Sequence, residues 1–181
     1  IVEMIPPEDL AIQWDCATEV QDAYGKAVPL PAEGGIERNV EPMARLSPLV
    51  PAKALLGFHF CFGTLGGWPR FVPNDLGGTV DLARALIAGS GRRVDWVHIP
   101  LLDEANDAFL APLARLDGRD TRVFLGAIHN MARFGARIAA ARRYLPAFGV
   151  AAYCGFGRMP PADMPQVLAD HLRAAEMIGP G

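Results

Sequence analysis

His59-Phe60-Cys61 is the part of this sequence most suited to chemistry. Residues two apart in an extended strand point to the same side, so His59 and Cys61 present an imidazole and a thiol together. Both are zinc ligands, binding at roughly 2.0–2.1 Å through nitrogen and roughly 2.3 Å through sulfur. Cys154 ends another apolar run, before Gly155-Phe156-Gly157, and adds a second thiol. Converging on one rim, the three would form an open three-ligand site that keeps a position for substrate or water. The plainer reading is a buried thiol beside a structural imidazole, since free Cys is among the most buried residue types. Asp15, His98 and His129 also end apolar runs, and Arg158 lies four residues past Cys154, where it can bind a carboxylate or phosphate. Asp15 can equally be a helix N-cap, and Trp68, in a Gly-rich loop, can line a pocket.

Five short runs rich in Val, Ile, Phe, Trp or Tyr must position these groups: Leu10 to Asp15, Leu56 to Phe62, Val94 to Pro100, Arg122 to Asn130, and Gly149 to Gly155. Their near-continuous hydrophobicity predicts strands covered on both faces, as in parallel sheets. Helical patterns fall at Asp81 to Ala88, Asp103 to Leu116 with Asp103 as N-cap, Met131 to Leu145, and Pro165 to Ile178 with Gly179-Pro180 as the stop. The Pro/Gly-rich stretch from Lys26 to Pro51 is expected to hold only short helices. Trp14, Trp96 and Cys16 are expected in the core, and His171 on a helix away from any strand end. This alternation predicts an α/β fold with a parallel sheet. Polar groups at the strand ends match the C-terminal rim of an α/β barrel. Five strands do not close a (β/α)8 barrel, so the chain, which begins at Ile1, is expected to cover roughly the last five strand–helix units of one.

The chain has 181 residues, 17 Lys+Arg against 20 Asp+Glu, and a net charge of −3. Residues 1–181 fit a single domain, and this charge argues against nucleic acid or an anionic membrane as partner. Three Cys make no disulfide framework, and no apolar run reaches the roughly 20 residues that span a bilayer. A soluble, cytoplasmic protein is expected.

In order and spacing, Ile12-Gln13-Trp14-Asp15, His59-Phe60-Cys61, Val94 to Pro100, Ile128-His129 and Tyr153-Cys154-Gly155 resemble the C-terminal catalytic barrel of cobalamin-independent methionine synthase. The resemblance runs over essentially the whole chain. It is closest to the single-barrel methionine synthase II-like proteins of the methionine synthase and uroporphyrinogen decarboxylase superfamily. It implies a zinc-dependent, cobalamin-free methyltransferase, with His59, Cys61 and Cys154 as zinc ligands. His129 would donate a proton to the leaving nitrogen of the methyl donor, a methylated folate in methionine synthase. Asp15 would help hold the amino-acid substrate; from their own places in the chain, apart from the resemblance, His98 and Arg158 are expected as further substrate contacts.

The chain also departs from that pattern. The family's fourth zinc ligand, a Glu ending the next strand, reads here as Pro100, which offers no donor. His98, Asp103 or Glu104 could supply one, or the three ligands act with substrate or water alone. Two rival expectations follow: a metal-free uroporphyrinogen decarboxylase-like lyase, and a non-catalytic barrel fragment.

Overall fold

The computed structural model describes residues 4–27, 29–31, 33–65, 67–116 and 120–179. Ile1 and Pro180 lie outside the described residues. The strands are β1 (Ala11–Cys16), β2 (Leu55–Phe60), β3 (Trp96–Pro100), β4 (Arg122–Ile128) and β5 (Gly149–Ala152). They form one parallel sheet in the order β1-β2-β3-β4-β5. The helices are α1 (Ala17–Ala23), α2 (Glu37–Leu46), α3 (Gly77–Gly89), α4 (Asp107–Leu110), α5 (Phe134–Arg142) and α6 (Met164–Ile178). Parallel crossovers are right-handed, so an order without reversal winds the helices onto one face, as in a (β/α) barrel. Among the described residues no helix is long and apolar enough to cross a membrane.

The two faces of the sheet differ in chemistry. Leu56, Phe58, Phe60, Val97, Ile99, Val123 and Leu125 share one face and are buried under the helices. Removing such side chains from water is worth about 1.5–3 kcal/mol each. The other face carries two rows across the strands: Asp15, His59, His98 and Phe124, and below them Gln13, Gly57, Trp96 and Arg122. This face lines cavities instead of meeting a second helical layer, so the strands are not covered on both faces by apolar packing. Trp96 belongs to this face, not to the core under the helices. It lies over Gly57, where a Cβ would sit 1.9 Å from its Cε2.

The sheet curls strongly. Neighbouring strands lie about 4.8 Å apart, so β2 and β5 in a flat sheet would be separated by about 14 Å. Yet Cys61 Sγ, just past β2, is 3.4 Å from Cys154 Sγ, just past β5. Arg158 Nη1 likewise donates to Thr64 Oγ1 at 2.7 Å, and the Trp68 and Tyr153 rings stack at 4.1 Å.

Several local expectations are corrected. The stretch from Lys26 to Pro51 contains the ten-residue α2, anchored when Arg38 and Asn39 donate to the buried Asp22 carboxylate at 2.6–2.7 Å. The helix expected from Asp103 is only α4 and a 3-10 segment, because Asn106, not Asp103, caps it by accepting from Phe109 N at 2.9 Å. Asp103 instead meets Arg137 Nη1 at 2.7 Å. Asp15 caps no helix, since Cys16 stands at the start of α1 without a side-chain cap. The apolar stripe of α6 is only partly used: Leu168 and Leu172 are exposed because α6 packs beside β5, the edge of the sheet.

Gly57→Ala should destabilise the protein by about 1–3 kcal/mol, the usual range for overpacking. Adding Trp96→Leu should recover part of that loss, a non-additivity that denaturant melts of the single and double variants would reveal.

Candidate metal centre

Each donor reaches the rim for a local reason. His59 is the fifth residue of β2, on the face away from the core, and is buried. Cys61 follows immediately after the strand, and Gly63 N donates to its Sγ at 3.3 Å. Cys154 comes two residues after β5. The donor atoms of His59, Cys61 and Cys154 all lie within 4.8 Å of one another. This group could hold a metal ion: its donors are soft, they come from two non-adjacent strands, and the Nε2 of His59 is buried without a hydrogen-bond partner.

The two thiols are hydrogen-bonded to each other. Cys61 donates toward Cys154, which holds the Cys154 thiol well below its ordinary range, with His59 and the Gly155 amide adding to the effect. The same bond and burial push Cys61 up. All three cysteines are free, and Cys16, expected in the core, is fully buried there.

Two adjoining cavities of about 330 and 440 Å³ open onto this group. Asp15, His59, Cys154 and Arg158 line both of them. Asp15 is exposed there and accepts from Gln13 Nε2 at 3.1 Å. His98 lines the larger cavity, as does His171, which the sequence reading kept apart from the strand ends. His171 arrives there because its ring meets Phe156, in the loop that carries Arg158. Arg70 lines the smaller cavity, and no motif marked it in the sequence. It comes there through the turn after β2, where its amide donates to Phe62 O and Gly63 O at 3.1 Å.

His98 is not among the clustered donors. Its Nδ1 faces the Nδ1 of His59, and burial pushes its pKa down to about 3. Asp103 and Glu104 are engaged elsewhere: Asn130 Nδ2 donates to Asp103 at 2.6 Å, and Arg133 meets Glu104 at 3.0 Å. His129 packs edge-on against Trp68 and Tyr153 and donates from Nε2 to Leu101 O at 2.8 Å. Burial and the nearby Arg137 push its pKa down to about 4, so it is neutral at pH 7. Arg137, itself buried, fixes this corner by donating to the carbonyls of Ala127 and His129. Trp68 does line a pocket, with Tyr153, Arg158 and Met159.

The depressed pKa of His129 has a stability consequence. Between about 4 and 6.5 the unfolded chain binds a proton at this residue that the folded chain does not. Stability should therefore fall as pH is lowered through that window, by up to about 1.4 kcal/mol per pH unit from this group. His98 adds to the slope with the same sign. Chemical denaturation of wild type and His129→Gln at pH 7, 6 and 5 would measure the difference, and an unchanged slope in the variant would refute it.

No family model, curated protein or solved structure matches the chain.

Proposed function

We propose that this chain forms the zinc-binding rim of a (β/α)8-barrel methyltransferase resembling cobalamin-independent methionine synthase, which transfers a methyl group to a thiol. The observation that carries this reading is the convergence of His59, Cys61 and Cys154 within 4.8 Å from opposite parts of the curled sheet. One imidazole and two thiolates suit zinc, and the pattern leaves a position open. Zinc held there would supply a deprotonated substrate thiol at neutral pH, where a free thiol with a pKa of about 8.5 is mostly protonated.

The chain's own residues bind and orient. Arg158, steadied by Thr64, takes an anionic group of the acceptor thiol, and Asp15 takes a cationic one. The methyl donor, a methylated folate in the family this chain resembles, needs a proton on its leaving nitrogen. His129 supplies it only once protonated, so a bound anion near it has to raise its pKa. Three free thiols suit a reducing compartment such as the cytoplasm.

Arg70 and Arg158 in one cleft also favour a second reading, the metal-free uroporphyrinogen decarboxylase-like lyase acting on an acidic substrate. Elemental analysis separates the two. The methyltransferase reading expects about one zinc per chain, lost in both Cys61→Ser and Cys154→Ser, with methyl transfer to a thiol lost alongside. Zinc-free wild type that binds a polycarboxylate would select the lyase.

A further inference from the structure

His98 touches the donor group without belonging to it. His59 and His98 are register partners on adjacent strands, and both rings are buried. Their ring planes lie 18° apart with centroids 4.6 Å from each other, and their Nδ1 atoms face each other. A neutral imidazole carries one N–H and one lone pair, so a pair meeting through Nδ1 needs one ring as donor and the other as acceptor. The remaining nitrogen of His59, Nε2, is buried and lies beside Cys154, short of a full hydrogen bond to it. A buried nitrogen in that state is accounted for if its lone pair is kept for an ion. Nδ1 of His59 must then carry the proton, and the lone pair of His98 Nδ1 receives it.

The surroundings suit His98 to that task. Its other row neighbour is Phe124, which has no polar group to compete for the ring. A Cβ on Gly126 would come within 3.0 Å of His98 Nε2, so the bare glycine seats the ring. The Nε2 of His98 is also buried without a hydrogen-bond partner, but it lies outside the donor cluster.

We propose that His98 is the positioning residue of this metal centre, accepting the Nδ1 proton of His59 and so holding His59 in the tautomer that offers Nε2 to the ion. The proposal rests on the metal-site reading above and stands in place of the alternative in which His98 supplies a fourth donor. Ligating histidines commonly give their second N–H to a carboxylate, a carbonyl or water. Here the acceptor is a second imidazole on the neighbouring strand.

The test uses zinc alone, on reduced protein. Competition against a chromophoric chelator should show His98→Leu binding zinc roughly 10–100-fold more weakly than wild type. His98→Asn, whose side-chain oxygen replaces the Nδ1 acceptor, should recover affinity to within about threefold of wild type on the same scale. Nitrogen-15 spectra of the zinc-free wild type should show His59 protonated at Nδ1, a signature that a merely space-filling His98 would not set. Undiminished affinity in a folded His98→Leu, a His59 protonated at Nε2, or a His98 nitrogen that shifts as a ligand on zinc addition would each overturn the proposal. Should His98→Leu fail to fold, the wild-type spectra and the Asn variant decide alone. Wild type that takes up no zinc would defeat the metal reading and this proposal together, whereas zinc uptake with the wrong tautomer would defeat only this one.

Discussion

The contact between Cys61 and Cys154 depends on how far the sheet bends, and the bend follows from side-chain size. Phe58, Phe60, Ile99 and Leu125 fill the helix side, while Gly57, Gly126, Gly149 and Ala151 occur on the opposite side. A Cβ on Gly149 would fall 2.5 Å from the Phe124 ring, and one on Gly126 2.8 Å from Tyr153 Cα. Bulk on the helix face, and glycines opposite that leave room for Trp96 and Phe124, let the strands wrap inward until the loops after β2 and β5 meet. The Arg158–Thr64 bond and the Trp68–Tyr153 stack rest on the same closure. A flatter sheet would leave two unrelated cysteines on separate loops.

Closure also sets the electrostatics. Burial keeps His98 and His129 neutral, and the hydrogen bond between the two sulfurs lowers the Cys154 thiol and raises that of Cys61. Arg137 is the buried cation of this region, and it is spent on Asp103 and the carbonyls that end β4. The exposed charges, Asp15 and Arg158, lie where the cavities open. Buried neutral rings below and exposed charges above separate the part that could hold an ion from the part open to a ligand.

The strands were readable in the sequence because each is an apolar run flanked by polar or glycine residues. All five runs overlap the observed strands, and the His59-x-Cys61 spacing predicted the shared face. Helices were read less well. Pro42 and charged neighbours obscured α2, whose stability comes from Arg38 and Asn39 reaching Asp22, a tertiary contact invisible to periodicity. Asp103 reads as a cap by type, but the buried Arg137 claims it. Trp96 reads as core because size alone suggests burial, and only its pairing with Gly57 puts it on the cavity side. The tie between His59 and His98 depends on strand register, which neither segment reveals separately.

Pro100 makes a final difference to charge. A donor set of one imidazole and two thiolates carries two negative charges, which a divalent cation neutralises. A Glu in place of Pro100 would add a third and leave the centre anionic. With an ion bound, such a neutral centre would impose less repulsion on an anionic ligand, and the same cleft holds Arg70 and Arg158 against Asp15. With His98 neutral beneath, nothing in the donor layer opposes negative charge on the incoming group. The absence of a carboxylate from β3 and the presence of two arginines on the cleft walls therefore act in the same direction, both lowering the repulsion met by an anionic group in the cleft.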